Sequence, residues 1–205
     1  MSSFTRKIIK TTIILAQANG TFADKDANTL IVQGFRQSWQ ISSGGGSVAP
    51  TAKGKIWGVS AESMNKLTNM SWKKDGKQNN LIMIEAGDDP DHLDIVFKGN
   101  IFFAFPDYAA APDVCLSIEA MSGYFYRINA ATPHSYTGEV DVAAVLTDLA
   151  KEMQLTLRND GVTAKLSNPS LNGATQKQFD DVVRAAGIDY FKDSTDDSIT
   201  ITPKG

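Results

Sequence analysis

VAAVLTDLAKEMQLTLRNDGVTAKLS (142–167) and FDDVVRAAGIDYFKDSTDDSITITP (179–203) are the stretches whose reading decides the fold. In the first, Val142, Val145, Leu149 and Met153 recur at spacings of three and four, the apolar stripe of an amphipathic helix. Leu155 and Leu157 then alternate with polar neighbours, Asn159-Asp160-Gly161 supplies a turn, and Val162, Ala164 and Leu166 alternate again. In the second, Phe179, Val182, Val183 and Ala186 make the stripe and Gly187 is a stop signal. Ile188 and Tyr190, then Ile199 and Ile201, repeat the two strands. The spacing predicts a small α/β module containing an α-β-β unit used twice, with two helices and four strands.

Upstream of about residue 136 the grammar is strand and turn. Strands are expected over Lys7–Gln17, Thr29–Ile41, Lys53–Val59, Leu81–Ala86, Leu93–Phe105 and Asp113–Ala120. The separators NGTFADKDAN, SSGGGSVAPT, KKDGKQNN, GDDPD and DYAAAP are rich in turn formers. One short helix, Ala61–Thr68, follows Ser60 as N-cap and carries Met64 and Leu67 on one side. The chain is therefore expected to be α+β. An antiparallel β-barrel or sandwich covers about residues 1–132, and the α/β module covers about 135–205, joined at Thr132-Pro133.

A length of 205 residues suits two small domains, and 42% apolar residues suffice for real cores. The net charge of −3, with no basic stripe, speaks against a nucleic-acid binder. A lone cysteine, Cys115, excludes an intrachain disulfide and sits in an alternating run as a buried structural thiol. The N-terminal run from Arg6 to Ala18 imitates a secretory signal. Lys10, Thr11 and Thr12 interrupt it, so it reads as a β-branched first strand ending at an Asn19-Gly20 turn. No stretch reaches the roughly 18–20 apolar residues of a membrane-spanning helix.

One strand breaks the alternation expected of a half-exposed sheet. In Asn100-Ile101-Phe102-Phe103-Ala104-Phe105-Pro106, Ile101, Phe103 and Phe105 fall on one face and Phe102 and Ala104 on the other. Both faces then need cover, from the short helix, the C-terminal module or another subunit. Phe102, Phe103 and Phe105 are the candidate interface residues.

Residues for chemistry do not assemble into a motif. His92 and His134 belong to no metal-ligand spacing, and the acidic loop around His92 lacks the ligand pattern of a calcium loop. SSGGGS (42–47) has no following Lys-Ser/Thr and no helix, so it is a hairpin tip and not a phosphate loop. Glu85 and Glu119, in or beside strands, are the candidate carboxylate pair for a glycan hydrolase. Trp39, Trp57 and Trp72 are the candidate platform for a carbohydrate-binding module. No catalytic, cofactor-binding or metal-binding residue is assigned.

Three segments carry a resemblance: TTIILAQANGTF, KIWGVSAESMNKLTNMSW and VFKGNIFFAFPDYAAAPDVCLSIEAMSGYF. With SYTGEVDVAAVLTDLAKEMQLTLRNDGV and FDDVVRAAGIDYF, the chain resembles the baseplate hub proteins of contractile-tailed bacteriophages over nearly its whole length. The resemblance implies a tail-tube-like β domain followed by an α/β module, with no active site and no cofactor. It also implies a trimeric ring joining the tail tube to the central spike. The implied partners are other copies of the chain, tail tube and spike proteins, with neither membrane nor specific nucleic acid. Its location would be the virion, after synthesis in the bacterial cytoplasm. A full hub carries a second tube-like domain after the module. The sequence reaches Gly205 without one, so the chain is either a fragment of a longer hub or a shorter relative.

Overall fold

The computed structural model describes residues 7–16, 21–22, 27–44, 48–68, 80–193 and 195–205. The expected Asn19-Gly20 turn, Trp72 and the centre of the glycine-rich tip lie outside them. Contacts divide the chain into two units, Met1–Ser42 with Pro50–Tyr124, and Ser43–Ala49 with Phe125–Gly205. Each has its own hydrophobic cluster.

Among the described residues, the first unit holds one antiparallel sheet of seven strands: β1 (Ile8–Ile14), β2 (Thr29–Gln33), β3 (Gln37–Ser42), β4 (Thr51–Trp57), β5 (Leu81–Asp89), β6 (His92–Asp107) and β7 (Cys115–Met121). Their order is β2-β1-β5-β6-β7-β4-β3. Ile13, Val32, Ile56, Ile82, Ile84, Phe97, Leu116 and Ile118 project to one side. Helix α1 (Ala61–Leu67) adds Met64 and Leu67 to that cluster. Its N-cap Ser60 accepts from the Ser63 amide at 3.3 Å, and Glu62 and Lys66 pair at i,i+4. The expected acidic loop is a two-residue hairpin turn between Asp89 and His92, where Asp89 accepts from the Asp91 amide at 3.0 Å.

The expected strand Thr29–Ile41 is two strands, because Gly34 takes a φ of +80° and turns the chain. The consequence is topological. β2 and β3 are the two edges of the sheet, yet only Gly34-Phe35-Arg36 separates them in sequence. No ladder joins them, so the sheet does not close into a hydrogen-bonded barrel. One side chain spans the gap instead. Gln37 donates through Nε2 to the carbonyls of Val32 (3.0 Å) and Ile9 (3.4 Å). Its Oε1 accepts from Thr11 Oγ1 (2.6 Å) and Trp39 Nε1 (3.1 Å). Each donor and acceptor of the amide is thereby used, on three strands.

Trp39 lies directly opposite Gly54 of β4, and a Cβ at Gly54 would come within 2.2 Å of the Trp39 ring. The glycine is what lets the indole lie flat over β4 with its N–H still reaching Gln37.

The second unit contains α3 (Val142–Glu152) and α4 (Thr175–Ala186), with a three-stranded sheet of β10 (Thr156–Asn159), β14 (Ser198–Pro203) and β13 (Ile188–Asp193) in the order β10-β14-β13. Two ribbons complete it: β9 (Glu139–Asp141) with β11 (Lys165–Ser167), and β8 (His134–Ser135) with β12 (Ser170–Leu171). A short helix α2 (Tyr124–Ile128), absent from the sequence reading, precedes β8. Asp141 caps α3, accepting from Ala143 N at 2.7 Å, and Gly187 ends α4 with a φ of +62°. Val145, Leu149, Met153, Phe179, Val182 and Val183 are buried as the two stripes require.

The duplicated α-β-β unit does not hold. β13 and β14 form the expected hairpin, but β10 pairs parallel to β14, and β11 pairs with β9. Asn159 is the reason. Its side chain accepts from Val162 N (2.8 Å) and donates to Val162 O (2.9 Å), so these backbone groups are taken before a ladder back to β10 can form.

On the buried face of β13, Lys192 is 7% exposed. Burial, and then the charge of Arg127, push its ammonium down to about 8, with Asp197 acting the other way.

Two outcomes follow from these packing facts. Gly54→Val, which must displace the Trp39 ring, should lower the unfolding free energy by about 1–3 kcal/mol in urea titration, with the Trp39 fluorescence environment altered. For Lys192, the folded state releases its proton at a lower pH than the unfolded chain. The stabilisation is absent below about 8 and accrues as the pH rises towards 10.5. Wild type should therefore gain stability relative to Lys192→Met over that interval, and Lys192→Met should be the more stable protein at pH 7. Parallel curves for the two proteins would contradict it.

Candidate assembly surface

β6 is the longest strand, and its second half is built differently from its first. It pairs with β5 from His92 to Asn100, where β5 begins at Leu81, and with β7 from Asn100 to Asp107. Among the described residues, the ladder of Phe103–Asp107 is to β7 alone.

A bulge sits where the aromatic residues begin. Ile101 pairs with Ala120, and Phe103, two residues on, pairs with Glu119, the very next residue of β7. The extra residue resets the alternation. Ile101 and Ala104 both enter the core, at 1% and 0% exposure, whereas Phe102, Phe103 and Phe105 are only part-buried. The expected grouping of Ile101 with Phe103 and Phe105, and of Phe102 with Ala104, is thus corrected. A strict two-residue period holds only without a bulge.

Phe103 and Phe105 share the face away from the core, their ring centroids 5.1 Å apart. Phe102 turns to Tyr124, at 5.2 Å. Across the same outer face run the rows Lys53–Glu119–Phe103 and Lys55–Ser117–Phe105. Lys53 pairs with Glu119 at 3.0 Å, and Lys55 with Asp107 at 2.9 Å. The hydrogen bond from Lys55, and then that from the Ala109 amide, hold the Asp107 carboxyl below its usual range. Next to it Tyr108 is 59% exposed. The surface is an aromatic strip edged by neutralised charges, chemistry suited to contact and not to bond-making.

The other sequence candidates scatter. Glu85 is neutralised by Lys10 at 2.9 Å, directly across β5 and β1, as Glu119 is by Lys53. Trp39 covers Gly54, and Trp57 is stacked under the Arg36 guanidinium at 4.2 Å. Cys115 is 4% exposed, and burial pushes its thiol up, away from thiolate character. His92 is exposed beside Asp89 at 3.1 Å. His134 lies in the second unit, between α3 and α4. Among the described residues, no three His, Cys, Asp or Glu side chains gather as a metal site would require. The bulge and the Tyr124 contact were not foreseen, and no residue type in the run announces a bulge.

Comparison with known proteins gives likenesses of fold. No protein-family model matches the chain, and no curated protein matches it in sequence. Its fold matches the tail protein from Neisseria meningitidis MC58 with a TM-score of 0.58 and 10% identity, over 94% of this chain and 50% of that one. It matches the 43 kDa tail protein of prophage MuSo2 from Shewanella oneidensis with a TM-score of 0.56 and 10% identity, over 96% and 54%. In the Francisella PdpA-VgrG complex, a chain matches with a TM-score of 0.54 and 13% identity, over 98% and 29%. The chain thus spans about half the length, or less, of these structures. Its fold is like that of these tail proteins and of a chain in the VgrG complex, in line with the sequence resemblance.

The corrected parity makes a sharp test. Phe103→Asp should leave the circular dichroism spectrum unchanged and weaken association. Ala104→Asp, which buries a carboxylate with no partner, should cost at least ~3 kcal/mol and leave the protein insoluble or unfolded. If Phe103→Asp unfolds the protein as well, the outer strip is core and not contact surface.

Proposed function

We propose that this chain is a structural subunit of a phage tail baseplate hub, or of a related contractile injection machine, forming a ring that joins the tail tube to the central spike. The supporting observation is the fold, which follows phage tail proteins over nearly all of this chain. In this reading, about residues 1–132 are a tail-tube-like domain and about 135–205 the α/β module behind it. A further tube-like domain would complete the hub. Three copies form the ring, with Phe102, Phe103 and Phe105 among the contacting residues and with tail tube and spike proteins as partners. The subunit is not an enzyme, carries no cofactor, and resides in the virion after synthesis in the host cytoplasm.

The neutralised carboxylates weigh against the hydrolase reading, since a general acid and a nucleophile cannot both be held in lysine pairs. The tryptophans weigh against a glycan platform, with one turned over Gly54 and another beneath Arg36. Among the described residues, no helix is long and apolar enough to cross a membrane.

Native mass measured over a range of protein concentrations tests the proposal. A defined trimer that grows with concentration, and no product from peptidoglycan or polysaccharide, is the expected result. A monomer at every concentration, or released sugar, would overturn it.

A further inference from the structure

Within the second unit, residues 130–136 run antiparallel to 169–174. Ala131 N donates to Gly173 O at 3.1 Å and Tyr136 N to Pro169 O at 3.0 Å, while His134 pairs with Leu171. These few backbone bonds make a ribbon too short to be stable alone. Side chains from both helices reinforce it, and His134 is at their centre.

Gln178 of α4 is fully buried, and its Nε2 donates to two carbonyls, Thr132 O at 3.0 Å and Gly173 O at 3.1 Å. Those two acceptors fix which end of the amide is which, so it is Oε1 that faces His134 Nδ1, at 2.9 Å. A carbonyl oxygen cannot donate, so Nδ1 must carry the proton. The other ring nitrogen, Nε2, lies 3.0 Å from the Glu152 carboxylate, the last residue of α3. It too faces an acceptor.

We infer that His134 acts as a proton-dependent latch, its Nδ1–H bonded to Gln178 and its Nε2 set against Glu152, holding residues 130–136 against α3 and α4.

The ring lies beside the C-terminal residue of α3, where the helix dipole attracts a cation. Its counter-ion, Glu152, reaches the N-terminus of α4, where Thr175 Oγ1 is 3.4 Å from Oε2 and no side chain caps the helix. From α3, Asp148 lies one turn before Glu152, and both charges push the nearby Tyr136 hydroxyl up, after burial. From α4, Gln178 and Thr175 are uncharged, and Lys177 is taken by Asp181. β12 brings Leu171. Tyr136 stacks on the imidazole, the ring centroids 6.5 Å apart and the planes 14° from parallel. Loss of the Nε2 proton would leave Nδ1 bonded to Gln178 and end the attraction to Glu152.

Nitrogen-15 spectra of the imidazole and amide exchange of the same protein provide the test. Nδ1 should carry a proton throughout, bonded to the Gln178 oxygen. As the pH rises and the ring becomes neutral, exchange at Ala131 and Tyr136, corrected for its intrinsic pH dependence, should speed up about tenfold. Amides of β7 should not follow. His134→Gln should abolish the pH dependence, and if that variant does not fold, the wild-type titration decides. A neutral ring protonated on Nε2 alone, or Ala131 and Tyr136 amides indifferent to its titration, overturns the inference.

Discussion

The first unit depends on the side chain of Gln37. An open seven-stranded sheet has two raw edges, and unpaired edges invite other strands. Here the edges belong to consecutive strands, so a turn of three residues brings them together at one end. The backbone geometry does not let β2 and β3 pair, and a single amide bonds to both sides of the gap instead. Because Gln37 also holds the Trp39 indole, and the indole occupies the space above Gly54, the bridge extends from β1 to β4. The sheet is curled by side chains where a closed barrel would be held by its ladder.

The same sheet shows how one inserted residue turns the aromatic side chains of a strand away from the core. Without the bulge after Ile101, Phe103 would have followed Ile101 into the core. With it, Ile101 and Ala104 stay inside and two phenyl rings are delivered to the outer face, among lysine–carboxylate pairs that cancel one another. An apolar strip with a neutralised polar border is what a protein partner needs from a surface. Burying it gains area, and the charges at its rim require little desolvation.

In the second unit, the polar residues that matter act on backbone groups more than on ligands. Asn159 occupies Val162, Gln178 occupies two carbonyls, and Asp141 caps α3. Each decides where a strand or helix starts or stops. Together they break what the hydrophobic pattern presents as a repeat, leaving β10 to pair with a strand forty residues further on.

The sequence by itself determined the α+β class, the positions of α1, α3 and α4, most of the strands, and the absence of a catalytic motif. These rest on local periodicity and capping, which a window of ten or so residues contains. It also carried the likeness to tail proteins through segments of structural residues. Only the tertiary structure decided the rest. The split of Thr29–Ile41 depended on the φ of Gly34, and the faces of Phe102, Phe103 and Phe105 on a bulge set by the register with β7. The partners of β10 and β11 depended on a side chain reaching backbone groups before a ladder could. The roles of Gln37 and His134 depended on groups 26–28 and 44 residues away in the chain. Pairing and burial are properties of which segments meet, and alternation along one segment cannot encode that meeting.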